Sequence, residues 1–525
     1  MKSPLFIPHE IVNLIIPHLC ETTPETPPLR GWEVDKKPPS RGLASYATIS
    51  RTWQFAIERY TFASIVTSSN DLSHLKRIVG NCPRRRSHVK ELWFRVGLPP
   101  YRESRRYFVE RPREHQANLA AFQRGVQDLW DELARWTTEG PASGMRLVLN
   151  ADAPMARDPD RNKDFDNTDW EERWQYPEHF LSLGLDTRLP SLHAVSELGV
   201  SFEGRHFDPC AIETLILSLP AIRRLHLFLG APNRKNNDLR AQHAAILARA
   251  LSSHTLHHLE FLSIRAWYDN PGSHSWDMSP AHDPCYPQGD VLNRAICTLA
   301  QRSLRYLNLM GAYPISPALW GECEGEKRDT TNCVAEIKFP YLEKVYIEHP
   351  HITYDGRWLY AGDPEHPPPS TSYHTVIPTP PAWNLDSETL QLAGMIDSRQ
   401  HTIENGDHPF HEWRVRPDPE MYDPLLRSLA RAVLKMPRLE ALWMELYMRT
   451  FLSNRIVMQV AAPGQRAGVL DWAPRLEDDL ARWRWIVLVE EDLWDMQVWE
   501  VPVDVYQLME ERVGGDGVVI VQRFP

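Results

Sequence analysis

The sequence predicts an α/β chain built from a repeated helix-then-strand unit, and three observations point to it. The first is a six-residue grammar: an apolar residue, two of any kind, an apolar residue, one of any kind, an apolar residue. It returns as Val89-x-x-Leu92-x-Phe94, Ile222-x-x-Leu225-x-Leu227, Leu259-x-x-Leu262-x-Ile264, Leu304-x-x-Leu307-x-Leu309, Leu342-x-x-Val345-x-Ile347 and Leu439-x-x-Leu442-x-Met444. The second is that each signature ends in alternating apolar residues, the pattern of a strand. The third is a segment of helical period ahead of several of them. Ile212, Leu215, Ile216 and Leu219 precede Ile222; Ile246, Leu247, Ala250 and Leu251 precede Leu259; Leu292, Ala295, Ile296 and Leu299 precede Leu304; Leu425, Leu426, Leu429 and Val433 precede Leu439.

A unit of this size cannot bury its own apolar face, so neighbouring units must stack into a continuous core, parallel strands on one side and helices on the other. The central residues Leu225, Leu262, Leu307 and Val345 stand 37, 45 and 38 residues apart. The stretch 66–450 resembles a leucine-rich-repeat solenoid, irregular in unit length and without the asparagine ladder of the regular class. The alternative is an ordinary α/β domain with helix–strand alternation. Between Val345 and Leu442 the spacing widens to 97 residues, and residues 363–381 form a Pro-rich loop, Asp363-Pro-Glu-His-Pro-Pro-Pro followed by Pro378, Pro380 and Pro381. Such an insertion is either a solvated loop or an arm facing a target.

Residues 451–525 read as an α+β extension. Tryptophan clusters there at Trp472, Trp483, Trp485, Trp494 and Trp499, and strand-like runs at Trp485–Val489 and Gly517–Val521 bracket a helix around Val505–Glu511.

The N-terminus carries a different pattern. Pro8 suits the first position of a helix and Glu10 its first turn, and Ile11, Ile15 and Leu19 recur every four residues. A second helical stretch begins at Leu43 and places Tyr46, Ser50, Trp53 and Ile57 near one face. The order Ile7-Pro8-x-Glu10-Ile11, Ile15, Leu19, then Leu43, Ile49-Ser50-Arg51-x-Trp53, Ile57-Glu58 and Thr61-Phe62 resembles the F-box family over residues 1–65. It departs from the compact family pattern at Pro17, which ends or kinks the first helix, and in the stretch from Cys20 to Arg41 with its five prolines. The whole layout is similar to filamentous-fungal F-box-type proteins with a Trp-rich C-terminal domain of unknown function.

The composition excludes several classes of function. A net charge of -11, from 58 Lys and Arg against 69 Asp and Glu, does not suit a phosphate-backbone binder. The run Arg84-Arg85-Arg86 reads as a solvated turn, with nuclear targeting or a partner contact as alternatives. Seven cysteines without a CxxC pair indicate scattered thiols in a reducing compartment. Pro4, Pro8, His9 and Glu10 interrupt any apolar leader, and no aliphatic run is long enough to span a bilayer. The expected location is cytoplasmic or nuclear.

No constellation of catalysis emerges: GxGxxG, the P-loop, GxSxG and HExxH are all missing. Among the 22 histidines, the groups His254, His257 and His258, His349 and His351, and His408 and His411 read as solvated or capping rather than metal-binding. Glu171 with Glu172, and Glu490 with Glu491 and Asp492, read as solvated surface. The aromatic and arginine-rich stretch from Trp93 to Tyr107 suggests nucleic acid, but the acidic whole argues against it. Trp130 and Trp136 share a helix with Leu119, Phe122, Val126, Leu129 and Leu133 and read as core.

The F-box resemblance implies that Ile7, Pro8, Glu10, Ile11, Ile15 and Leu19, with Leu43, Ile49 and Trp53, meet a Skp-type adaptor of a cullin–RING ubiquitin ligase, some of them instead holding the segment's own core. The body would then hold a protein target, with no catalytic residue, cofactor, metal, nucleic acid or membrane involved. A non-ligase repeat scaffold is the alternative, its helices capping the end of the array. An enzyme with an unrecognised site stands third.

Overall fold

The computed structural model describes residues 11–12, 14–16, 43–100, 110–137, 144–153, 179–184, 187–200, 205–230, 232, 234–266, 271–276, 290–311, 313–322, 337–354, 356–365, 406, 411, 413–446, 456–465, 481–490 and 499–524. Twelve strands join in one sheet: β1 (Ser64–Ser68), β2 (Glu91–Gly97), β3 (Met145–Asp152), β4 (Val195–Val200), β5 (Arg224–Leu229), β6 (Phe261–Ala266), β7 (Tyr306–Met310), β8 (Lys344–His349), β11 (Ala441–Leu446), β12 (Ile456–Ala461), β13 (Arg484–Glu490) and β14 (Val518–Phe524). The strands β9 (Tyr360–Gly362) and β10 (Arg414–Pro417) form a separate antiparallel pair. Order in the sheet follows order in the chain. Pairing is parallel except at β12, which runs antiparallel to both β11 and β13.

All six sequence signatures fall on strands of this sheet, and every apolar position in them is buried. The first apolar residue sits in the turn before the strand, and the other two point to the same face because strand side chains alternate. Leu225 pairs with Leu262, Leu262 with Leu307, Leu307 with Val345 and Val345 with Leu442. The widened spacing therefore leaves the sheet unbroken: β8 pairs directly with β11, and the intervening chain contributes β9 and β10 outside it.

The buried row packs against helices α2 (Pro112–Thr137), α3 (Pro209–Leu217), α4 (Asn237–Leu251), α5 (Val291–Arg302), α6 (Pro419–Leu434) and α7 (Val503–Val513); α1 (Arg51–Thr61) lies ahead of them. Local chemistry starts several of these helices where they are needed. Asp208, Asn236, Asp290 and Asp418 cap α3 to α6 by accepting from the backbone N–H of Cys210, Leu239, Asn293 and Glu420, and Pro209 and Pro419 occupy first-turn positions. In α2, Phe122, Val126, Leu129, Trp130, Leu133 and Trp136 line the buried face, and the Trp130 indole N–H donates to Ser218 Oγ at 2.9 Å. Residues beyond 451 extend the same sheet and core, with Trp485 and Val487 of β13 packed in the same cluster as Val505 and Met509 of α7. The molecule is thus a mixed α/β protein with a large, mostly parallel sheet. No helix among the described residues is long and apolar enough to cross a membrane.

Leu307 sits at the centre of the buried row with no exposure. Leu307→Ala is expected to lower unfolding free energy by about 2 to 5 kcal/mol in urea titrations; a loss under about 1 kcal/mol would contradict this placement.

Candidate interaction surfaces

The N-terminal helices form a small core of their own. Val12, Ile16, Trp53, Ala56 and Ile57 cluster apart from the main core, with Ile15, Ala47 and Tyr60 against them. Ser50 caps α1 by accepting from the Trp53 backbone N–H at 3.3 Å. The buried stripe is therefore Val12 and Ile16, one residue on from the stripe the four-residue spacing suggests. Ile11 is 45% exposed, Leu14 66% and Ile49 59%, and Tyr46 is exposed beside them in sequence. Of the residues expected to meet an adaptor, Trp53 belongs to the small core and Ile11 and Ile49 face outward. Leu43 begins a short helical turn, Leu43–Tyr46. Ile7, Pro8, Glu10 and Leu19 lie outside the described residues, as do Pro17 and most of the Pro-rich loop.

The arginine run is not a solvated turn. Glu58 of α1 is buried and accepts from Arg84 and Arg85, the latter at 2.8 Å, and from Gln54 at 3.0 Å. Burial alone would raise the Glu58 carboxyl, but the Arg85 and Gln54 hydrogen bonds and the two arginine charges hold it below its ordinary value. Arg86 is itself buried and donates to the Arg135 carbonyl of α2 at 3.4 Å. Arg84 and Arg85 thus join α1 to the segment between β1 and β2, and Arg86 joins that segment to α2.

The sheet face opposite the buried row carries charge and rings in register. Along one line of pairing, Glu91, Arg146, Glu197 and Arg224 alternate in sign. Arg146 bridges Glu91 and Glu197 at 3.0 Å each, and Arg224 reaches Glu197 at 3.4 Å. The line continues into Phe261 and Tyr306, stacked with centroids 5.0 Å apart, and then Lys344. Opposite charges on neighbouring strands each add a fraction of a kcal/mol and fix register. Burial would raise the Glu197 carboxyl; the His226 hydrogen bond and the Arg146 and Arg224 charges outweigh it and hold it low.

The next line along the same face holds His226, Ser263, Asn308, Tyr346 and Trp443. Tyr346 and Trp443 stack at 6.0 Å with ring planes 10° apart. Each ring ties its polar tip to a carboxylate two residues on: Tyr346 Oη donates to Glu348 Oε1 at 2.8 Å, and Trp443 Nε1 to Glu445 Oε2 at 3.3 Å.

One of the three histidine groups differs from a solvated reading. His349, the last residue of β8, and His351 just beyond it are buried, His351 stacked on Tyr360; His274, a further buried histidine, accepts at Nδ1 from the backbone N–H groups of Trp413 and Arg414 at 2.9 and 2.8 Å. Burial pushes His349 down to about 4 and His274 to about 3. His254 and His258 are exposed.

A cluster that sequence reasoning missed gathers at Glu110. Arg205 donates to both carboxylate oxygens at 2.7 Å, Asn118 donates to one, and the Nδ1 atoms of His179 and His115 lie 2.9 and 3.4 Å from the other. Burial favours the neutral acid, but hydrogen bonds from His115, His179 and Arg205 and the guanidinium charge hold the carboxyl far below its ordinary value. One carboxylate and two imidazoles match a metal-ligand set. The guanidinium already neutralises that carboxylate, so a divalent cation would meet a buried positive charge. The cluster is an ionic tie between β4's following loop and the start of α2.

A scan of protein-family models finds no match to this chain, and a search of curated proteins finds none either.

The buried histidines set a pH dependence. Their folded values lie below the ordinary 6.5, so the unfolded chain takes up protons first as pH falls. Stability is full above about pH 6.5 and declines toward pH 4, by more than about 1 kcal/mol for each such histidine. Urea midpoints measured from pH 7.5 to 4.5 should fall, and His349→Phe should flatten the curve; an unchanged slope in that variant would contradict the assignment.

Proposed function

We propose that this chain is the target-recognition subunit of a cullin–RING ubiquitin ligase. Its N-terminal helices hold a Skp-type adaptor and its body, a leucine-rich-repeat-type solenoid, holds a protein target. The chain itself contributes proximity rather than bond chemistry, raising the effective concentration of the target near the ligating machinery.

One observation carries the reading. A helical segment with its own small core turns Ile11, Leu14, Tyr46 and Ile49 outward instead of spending them on the body. Large apolar side chains on a small module, Ile11 and Ile49 at positions within the F-box-like pattern and Leu14 and Tyr46 outside it, suit insertion into a partner groove. The solenoid reading draws support from strand order that follows chain order and from the recurrence of one signature on parallel strands.

The Glu58 joint to Arg84 and Arg85 favours a second reading, in which the same helices cap the first edge of a repeat scaffold. The two readings diverge in co-purification with a Skp-type adaptor. The ligase reading predicts a complex that Ile11→Asp with Leu14→Asp reduces by about a hundredfold or more while the chain stays folded. Full binding by that variant, or no binding by the intact chain, favours the cap.

A further inference from the structure

The outer side of α1 carries a feature that the proposed adaptor contact, at Ile11, Leu14, Tyr46 and Ile49, does not include. Trp53, Ala56, Ile57 and Glu58 of this helix are buried, so its opposite side faces solvent. Arg51, Phe55 and Arg59 stand four residues apart along that side, which brings them into one stripe about 12 Å long. All three are exposed, Phe55 by 43%. Arg84 lays its guanidinium over the Phe55 ring, 3.8 Å from the centroid, and keeps 38% of its side chain exposed.

No carboxylate balances these charges one for one. Among the described residues no acid pairs with Arg51 or Arg59, and the single carboxylate of Glu58 serves both Arg84 and Arg85. The surplus reaches His88, ahead of β2: burial and then the Arg59 and Arg84 charges push its imidazole below the ordinary value, outweighing the pull of Glu58. A chain of net charge -11 thus carries a local cationic patch with an apolar ring at its centre. We infer that this stripe of α1, with Arg84 beside it, binds an acidic amphipathic segment of a partner protein, an apolar side chain against Phe55 and carboxylates on the arginines to either side.

Three properties select that partner. The fork of a guanidinium binds a carboxylate through two parallel hydrogen bonds and keeps its charge at any working pH. Arginine and aromatic side chains together are the composition of interface centres rather than of plain solvated surface. A polyanion such as nucleic acid would run past the patch onto an acidic body, whereas a short segment with a few carboxylates stays within about 10 Å of it, the reach of a charge in moderate salt. A partner helix can repeat the spacing: Glu-x-x-x-Leu-x-x-x-Glu sets its carboxylates about two turns apart, as Arg51 and Arg59 are.

Fluorescence anisotropy with the full chain tests this, using a labelled alanine-based helix of about 20 residues that carries Glu-x-x-x-Leu-x-x-x-Glu, and its counterpart with Lys in place of Glu. The acidic helix should bind about tenfold or more tightly than the basic one and weaken as salt is raised. Arg51→Gln with Arg59→Gln should cost about tenfold in affinity and Phe55→Ala about fivefold. Neutralising two exposed arginines of α2, Arg113→Gln with Arg124→Gln, should change it less than about twofold. Arg51→Glu with Arg59→Glu should exchange the preference, so that the basic helix binds the better, which a misfolded variant would not do. Equal losses in the two Gln double variants, an intact chain that prefers the basic helix, or a labelled oligothymidylate that binds more tightly than the acidic helix overturns the inference.

Discussion

Leu225, Leu262, Leu307, Val345 and Leu442 are paired from strand to strand in register, and all are buried. Strand side chains alternate with a period of two, so a slip of one residue anywhere in this row would exchange it for His226, Ser263, Asn308, Tyr346 and Trp443. That exchange would place an imidazole, a hydroxyl, an amide and two large rings against α3 to α6 and leave leucines in water. The apolar row therefore fixes the helix layer on one side and, by exclusion, the charged and aromatic lines on the other. The placing of those charged and aromatic lines is a consequence of core packing on the other face.

Two devices keep that arrangement intact where the repeat is interrupted. At the first edge, Glu58 with Arg84 and Arg85 ties α1 to the segment between β1 and β2, and Arg86 ties that segment to the end of α2. In the middle, the long insertion folds its ends back as β9 and β10, and His274, His349, His351 and Tyr360 are buried around them. Both devices depend on buried polar groups in satisfied or nearly satisfied surroundings, which is where acid acts first.

Much of the body was legible because its signal is local. Each six-residue signature contains both apolar positions of a strand and the turn residue before it, so six strands could be read without knowing their partners. The signal fades at β3, where Leu147 and Leu149 alternate without the leading residue, and at β4, where Leu192, Val195 and Leu198 are spaced differently. The ionic ties were illegible for a different reason. Glu58 meets Arg85 across 27 positions and Glu110 meets Arg205 across 95, so a basic run or lone acid looks solvated until its partner is folded onto it. In the first helix Ile11, Val12, Leu14, Ile15 and Ile16 are all apolar, so spacing could not choose the buried stripe; packing against Trp53 and Ile57 selects Val12 and Ile16.

The proposed division of labour between a docking module and a holding surface is tested most directly by hydrogen exchange of the chain with and without a Skp-type adaptor. Slowed exchange confined to peptides covering residues 11–16 and 43–57 is the predicted result, with β5 to β8 unchanged. Protection spread over the sheet strands, or none within the N-terminal helices while a complex is present, would contradict it.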